Sequence, residues 1–144
     1  HDALPILETR RGYIMQQFID FAISTEEVAI KNNNLPEGSF NIVPKYTRLI
    51  NRNDSAKRAS VTLSVEILGT EAEPFPVDVR IVLKGTFNME KIPAEQIDEF
   101  LKYNAVQVLF PYLRTTLSTS LSAAMMPPIV LPIIDVQEAF DNNA

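Results

Sequence analysis

A chain of 144 residues with 46% hydrophobic and 22% charged residues is apolar enough to fold and long enough for a single domain, since a second core would leave each half marginal. Its formal net charge of −5 argues against a nucleic-acid partner, whose affinity comes from Lys and Arg neutralising phosphates; Arg10-Arg11 and Lys57-Arg58 are pairs, not a basic stripe. The absence of cysteine removes disulfides, thiolate zinc sites and thiol nucleophiles together, and suits a reducing cytosol.

The first predicted element is a strand from Tyr13 to Ile30, bent near Ser24-Thr25, with Ile19, Phe21 and Ile23 on one phase and Gln16 and Asp20 on the other. Asn32 to Gly38 gathers residues that tolerate left-handed or fixed φ values and reads as a loop. A second strand is expected from Phe40 to about Asn51, interrupted at Pro44, which lacks a ladder donor and points to an edge or bulge. After the loop at Asn51 to Ser55, Ala59, Val61, Leu63, Val65 and Ile67 alternate with Ser60, Thr62, Ser64 and Glu66, the period of a strand with one wet face. Beyond a turn at Gly69 to Pro74, Phe75, Val77, Val79, Ile81 and Leu83 alternate with Asp78, Arg80 and Lys84, and Phe87 and Met89 keep the phase past Gly85. Matching alternation in successive strands predicts an antiparallel sheet with one buried face.

The period changes after Lys91. Pro93, with Glu95 and Asp98 behind it, suits a helix start, and a stripe of Ile97, Phe100, Leu101, Val106, Phe110, Leu113, Leu117 and Leu121 follows, with a kink or restart expected at Pro111. The small polar residues Thr115, Thr116, Ser118, Thr119, Ser120 and Ser122 leave two readings open, a face for a partner subunit or a solvated surface. Met125-Met126-Pro127-Pro128 ends the helix, and Asp135 with Glu138 resembles a capping box for a short last helix with Val136 and Phe140 on its apolar side. The apolar run Ile129 to Ile134 is broken by Pro132 and falls far short of the roughly 20 residues that span a bilayer, and the opening His-Asp-Ala-Leu-Pro has no secretory pattern.

Catalytic sets are scarce. The only histidine is His1, so no Ser-His-Asp arrangement can be built, and glycines 12, 38, 69 and 85 form no phosphate-cradling loop. Glu26-Glu27 and Glu71 with Glu73 sit in or beside turns as solvated residues, no EF-hand spacing occurs, and no cofactor is expected. A carboxylate-dependent enzyme would require two carboxylates converging in a concave pocket. Apolar surface, by contrast, is in surplus: Met125, Met126, Ile129, Val130, Leu131, Ile133, Ile134, Val136 and Phe140 lie close together, held irregular by Pro127, Pro128 and Pro132. Such a segment either covers an open edge of the core or lines a groove whose methionines accept varied side chains.

The run Leu109-Phe110-Pro111-Tyr112-Leu113-Arg114, the segment Pro127-Pro128-Ile129-Val130-Leu131-Pro132-Ile133 and the start of the last helix at Asp135 to Phe140 together resemble the SecB protein-export chaperones, as do the strand order and the Gly85-Thr86-Phe87 exit from the fourth strand. The resemblance implies an α+β fold, a four-stranded antiparallel sheet with one long and one short C-terminal helix, and a cytoplasmic homotetramer built as a dimer of dimers through the long helices. It implies ATP-independent holding of unfolded or precursor proteins in apolar grooves and delivery to the translocase motor SecA, without membrane insertion. The groove residues it points to are Phe40, Ile42, Phe75, Met125, Met126, Ile129, Leu131 and Ile133, each of which has plain core as its other reading. Asp20, Glu66 and Asp78, on the polar phase of the sheet, are the first candidates for SecA contact, with a solvated face as the alternative. Export SecBs continue into an acidic tail after the last helix, whereas this sequence ends at Asp141-Asn142-Asn143-Ala144, which fits either a shortened chain or the SecB-like proteins that guard antitoxins. A subunit with one fixed partner is the remaining non-chaperone reading.

Overall fold

In the computed structural model, which describes residues 20–141, β1 (Asp20–Asn32), β2 (Lys45–Asn53), β3 (Arg58–Ile67) and β4 (Val77–Asn88) form one antiparallel sheet in the order β1-β4-β3-β2. The central pair follows the alternation in the sequence. Register pairs Val61 with Gly85, Leu63 with Leu83 and Val65 with Ile81, and these residues are buried on one face.

Each edge strand departs from the simplest reading. In β1, Thr25 pairs with Leu83 but Glu27 with Val82, so Glu26 is an extra residue in a bulge. The bulge moves the inward phase from odd to even positions, which is why Phe21 and Ile23 share a face with Val28 and Ile30. Residues 13–19 of the expected first strand lie outside the described residues. In β2 the strand begins at Lys45, so Phe40 to Val43 belong to the loop and Pro44 precedes the strand instead of interrupting it. The reason is topological: β1 and β2 occupy opposite edges, and residues 33–44 must cross three inter-strand spacings, about 14 Å.

The helical rod across the inner face is joined from a 3₁₀ turn (Ala94–Gln96), a single turn α1 (Ile97–Glu99), a π-helical segment (Phe100–Asn104) and α2 (Ala105–Ala123). α2 runs through Pro111, which faces solvent while Leu109, Phe110 and Leu113 around it are buried. The departure from regular winding lies earlier, in the π segment, where Phe100 and Leu101 enter the core. Three contacts set the rod's direction. Arg52 approaches Asp98 at 3.7 Å, Arg48 Nη1 donates to the Lys102 carbonyl at 2.6 Å, and the rings of Tyr46 and Phe110 are 5.7 Å apart. The rod therefore runs antiparallel to β2 and reaches the start of that strand at Phe110, with the rest of α2 still to follow. A final short helix, α3 (Val136–Asp141), packs back on β2. Among the described residues no helix is long and apolar enough to cross a membrane.

Helix and sheet meet closely at one point. A Cβ added at Gly85 would lie 2.8 Å from Leu109 Cδ2 and 3.0 Å from Phe87 Cε2, and both side chains are fully buried with nowhere to retreat. Gly85→Val is expected to lower stability by about 1–3 kcal/mol through overpacking, read as a reduced urea midpoint at unchanged slope. An unchanged midpoint would contradict this packing.

Candidate functional site

The most exposed large apolar side chains among the described residues, Met125, Ile133 and Val130, lie on the segment that follows α2. α2 closes in a Schellman arrangement: Met125 N–H donates to the Ser122 carbonyl at 3.0 Å and Met126 N–H to the Leu121 carbonyl at 2.9 Å. Met125 occupies the left-handed position of that motif at φ 58°, where glycine is usual, and its side chain is 91% exposed. Met126 folds back against the core. The prolines then keep the chain extended, with Ile129 and Leu131 turned into the core and Val130 outward. Ile133 falls on the inward phase of that alternation yet is 88% exposed, because none of the described residues covers it.

The crossover loop supplies a second apolar group, at the end of the sheet where β2 and β4 start. The Phe40 and Phe75 rings pack edge to face at 6.1 Å, Phe75 is buried, and Ile42, Val43 and Leu68 are exposed around them. A cleft of about 200 Å3 lies there, lined by Asn41, Val43, Leu68, Phe75 and the charged Lys45, Glu66 and Glu73. Of the groove residues named from the sequence, Met125, Ile133 and Ile42 are thus at the surface, Phe40 and Met126 are half-buried against the core, and Phe75, Ile129 and Leu131 are inside it.

The register puts Asp20, Glu66 and Asp78 on the outer face of the sheet, but not together. Asp78 stands opposite Lys31 and Glu66 opposite Arg80, close to one another, whereas Asp20 pairs with Asn88, ten residues along β4 and about 33 Å from Asp78. Arg80 bridges Glu27 at 3.0 Å and Glu66 at 3.4 Å. Asp78 holds the loops together: its Oδ1 accepts from Asn33 Nδ2 at 2.9 Å and from the Gly69 N–H at 2.8 Å, while Asn33 Nδ2 also reaches the Phe75 carbonyl at 2.9 Å. These two donors favour the carboxylate and hold the Asp78 carboxyl below the usual aspartate range. Gly69 is required at this node, since a Cβ would lie 2.8 Å from the Phe75 backbone N and O.

Sequence reasoning does not single out Arg48. It lies on the inward phase of β2 with Tyr46, Ile50 and Arg52, and its guanidinium sits 4.7 Å from the Phe140 ring centre and 5.9 Å from that of Tyr103. The Tyr103 hydroxyl donates to the Asp141 carboxylate, which raises the Tyr103 pKa by stabilising the protonated phenol. Asp135, at the N-terminus of α3, accepts from the Glu138 N–H at 3.0 Å, as the capping pattern predicts. The signal for the Arg48 clasp is present in the sequence as an arginine in phase with apolar neighbours on an edge strand.

Glu95 and Glu99 share a shallow cleft of about 350 Å3 with Ile92, Gln96, Phe100 and Asn104. Both are exposed and four residues apart along the rod. Among the described residues no group of His, Cys, Asp or Glu side chains is arranged to hold a metal ion.

The described residues thus form a four-stranded sheet crossed by one long helix, with exposed apolar side chains on the segment that follows it. The family described as preprotein translocase subunit SecB matches residues 9–144. The protein-export protein SecB of Zymomonas mobilis is 35% identical over 75 residues, covering 52% of this chain and 46% of that protein. SecB of Burkholderia mallei is 40% identical over 59 residues, covering 41% and 37%, and an uncharacterised protein of Methanocaldococcus jannaschii is 30% identical over 89 residues, covering 60% and 56%. These alignments span about half the length of the curated relatives, or less. A solved Mycobacterium tuberculosis SecB-like chaperone, in complex with a peptide from an antitoxin, shares the fold at a TM-score of 0.68 and 12% identity, covering 86% of this chain and 96% of that one. The chain belongs to the SecB family.

Because the folded pKa of Asp78 is depressed, its contribution to stability is complete above the unfolded value, about 3.9, and is lost as pH falls through the lower folded value. The urea midpoints of the wild type and Asp78→Asn should therefore differ most near neutrality and converge on acidification. A gap that stays constant would contradict the role given to the carboxylate.

Proposed function

We propose that the protein is an ATP-independent chaperone that holds unfolded or precursor polypeptides on the apolar surface formed by the proline-held segment and the crossover loop. The observation that carries this reading is that Met125, Val130 and Ile133, at 91%, 69% and 88% exposure, lie in sequence along the proline-held segment that follows α2. Apolar surface of this kind binds by burial, at about 25 cal/mol per Å2, and reads no particular sequence. Ile42 and the half-buried Phe40 extend the surface, while Phe75, Ile129 and Leu131 form its floor. Family membership and the fold shared with a SecB-like chaperone support the reading.

The assembly proposed is a cytoplasmic homotetramer, a dimer of dimers. It would explain why Phe21 and Val28, on the inward phase of an edge strand, remain 38% and 45% exposed. Delivery to SecA is the proposed destination, with Glu66 and Asp78 as the neighbouring acidic pair at one end of the outer face and Asp20 at the other. The second reading, control of a toxin–antitoxin pair, is favoured by the likeness to a chaperone solved with an antitoxin peptide. Retention of SecA or of a small antitoxin on the immobilised protein separates the two.

Substoichiometric protein should suppress light scattering by a chemically denatured model protein without nucleotide, and Ile133→Glu should weaken that suppression. Met125→Gly separates holding from folding: it relieves a left-handed methionine and should raise stability by about 0.5–1 kcal/mol while reducing suppression. Absence of suppression by an intact wild-type assembly would overturn the proposal.

A further inference from the structure

The sequence holds four methionines and no cysteine, so every sulfur in it is a thioether and no thiol competes for an oxidant. Met15 lies outside the described residues, and the other three differ sharply in access to solvent. Met89 is 1% exposed in the core, Met126 is half-buried against it, and Met125 is 91% exposed. Because Met125 and Met126 are adjacent, backbone geometry sets their contrast. At Met125 the chain takes the left-handed turn that closes α2, with the side chain in water, and one residue later Met126 is folded inward.

The position is held by main-chain bonds. The Met125 N–H donates to the Ser122 carbonyl and the Met126 N–H to the Leu121 carbonyl, and a change at the Met125 sulfur leaves both intact. Oxidation turns a thioether into a sulfoxide, whose oxygen accepts hydrogen bonds from water and is costly to bury without a donor. In the folded protein the Met125 side chain is already in water, so the added oxygen does not disturb the core. When an unfolded chain covers that side chain, the same oxygen has to be desolvated.

We propose that Met125 is a reversible oxidation site that switches the holding surface from tight to weak binding. The inference rests on the chaperone reading and adds a regulation to it. The thioether sulfur attacks one oxygen of a peroxide; the O–O bond breaks, an S–O bond forms, sulfur gives up two electrons, and the second oxygen takes the proton of the first and leaves as water. In a sulfoxide reductase a dithiol reverses the step: it is oxidised to a disulfide, the sulfoxide oxygen leaves as water and the thioether returns. Met126 and Met89 are shielded, so dilute peroxide alters the surface before it reaches the core.

The whole assembled protein is treated with dilute hydrogen peroxide, and oxygen uptake at each methionine is located by fragment-ion mass spectrometry. Met125 should be modified first, Met126 more slowly, and Met89 not at all while the protein stays folded. With Met125 oxidised, suppression of light scattering by a denatured model protein should require roughly two- to fivefold more chaperone. The urea midpoint should be unchanged, and methionine sulfoxide reductases of both stereospecificities should restore suppression. Met125→Leu, compared with its own untreated state, should lose nothing on the same treatment. Resistance of Met125 to peroxide, as burial between subunits would produce, overturns the site and needs no variant to fold. Oxidised Met125 with undiminished suppression, an equal loss in Met125→Leu, or a lowered urea midpoint overturns the switch and leaves the chaperone reading standing. Absence of suppression by the untreated protein overturns the chaperone reading and the switch with it.

Discussion

The contact between Leu109 and the bare backbone of Gly85 sets how closely the long rod approaches the sheet, and most of the remaining architecture follows from that depth. With no side chain at Gly85, α2 sinks far enough for Leu109, Leu113, Leu117 and Leu121 to be fully enclosed against β3 and β4. The rod is then locked along β2 by Arg52, Arg48 and Tyr46 in succession. Direction and depth together carry α2 past the start of β2, and the proline-held segment leaves from its end.

At that end the chain lacks regular means of burying what it carries. Three prolines deny the segment a sheet ladder or a helix, so its backbone is extended and only alternate side chains reach the core. Ile129 and Leu131 do so, and Val130 cannot. Ile133 has the right phase but no wall to meet among the described residues. The left-handed Met125 reinforces the same outcome, because a glycine would close the helix with less strain and would carry no apolar side chain into solvent. The segment is nonetheless anchored further on, where Asp135 caps α3 and Arg48 lies against Phe140.

What can be read in advance divides along physical lines. The central strands are legible because both bury one face, and period two is then imposed residue by residue. The helical stripe is legible for the same reason. The start of β2 is not, because Phe40 and Ile42 are as apolar as strand residues, and only the crossing of the sheet end shows that they belong to a loop. Pro111 reads as a kink or restart in the rod, but an exposed proline on the solvent side leaves the buried face continuous, and the irregular winding falls at Phe100 to Asn104 instead. At the candidate site, apolar character locates the segment without telling inward positions from surface ones; Leu131 and Ile133 look alike until the core beneath each is known. The polar tie at Asn33, Gly69 and Asp78 joins residues far apart in sequence, and composition carries no trace of it, whereas Arg48 shows only as an arginine in phase with apolar neighbours.

Whether the exposed side chains around the end of α2 are the ones that meet an unfolded chain is tested most directly by methyl NMR of the assembled protein, titrated with a denatured client that does not aggregate. Shifts or broadening should concentrate at Met125, Val130 and Ile133, while Leu49, 60% exposed on the outer face of the sheet, stays unchanged. Perturbation centred on Leu49, with the Met125 and Ile133 methyls unmoved, would contradict the assignment of the holding surface to this end of the molecule.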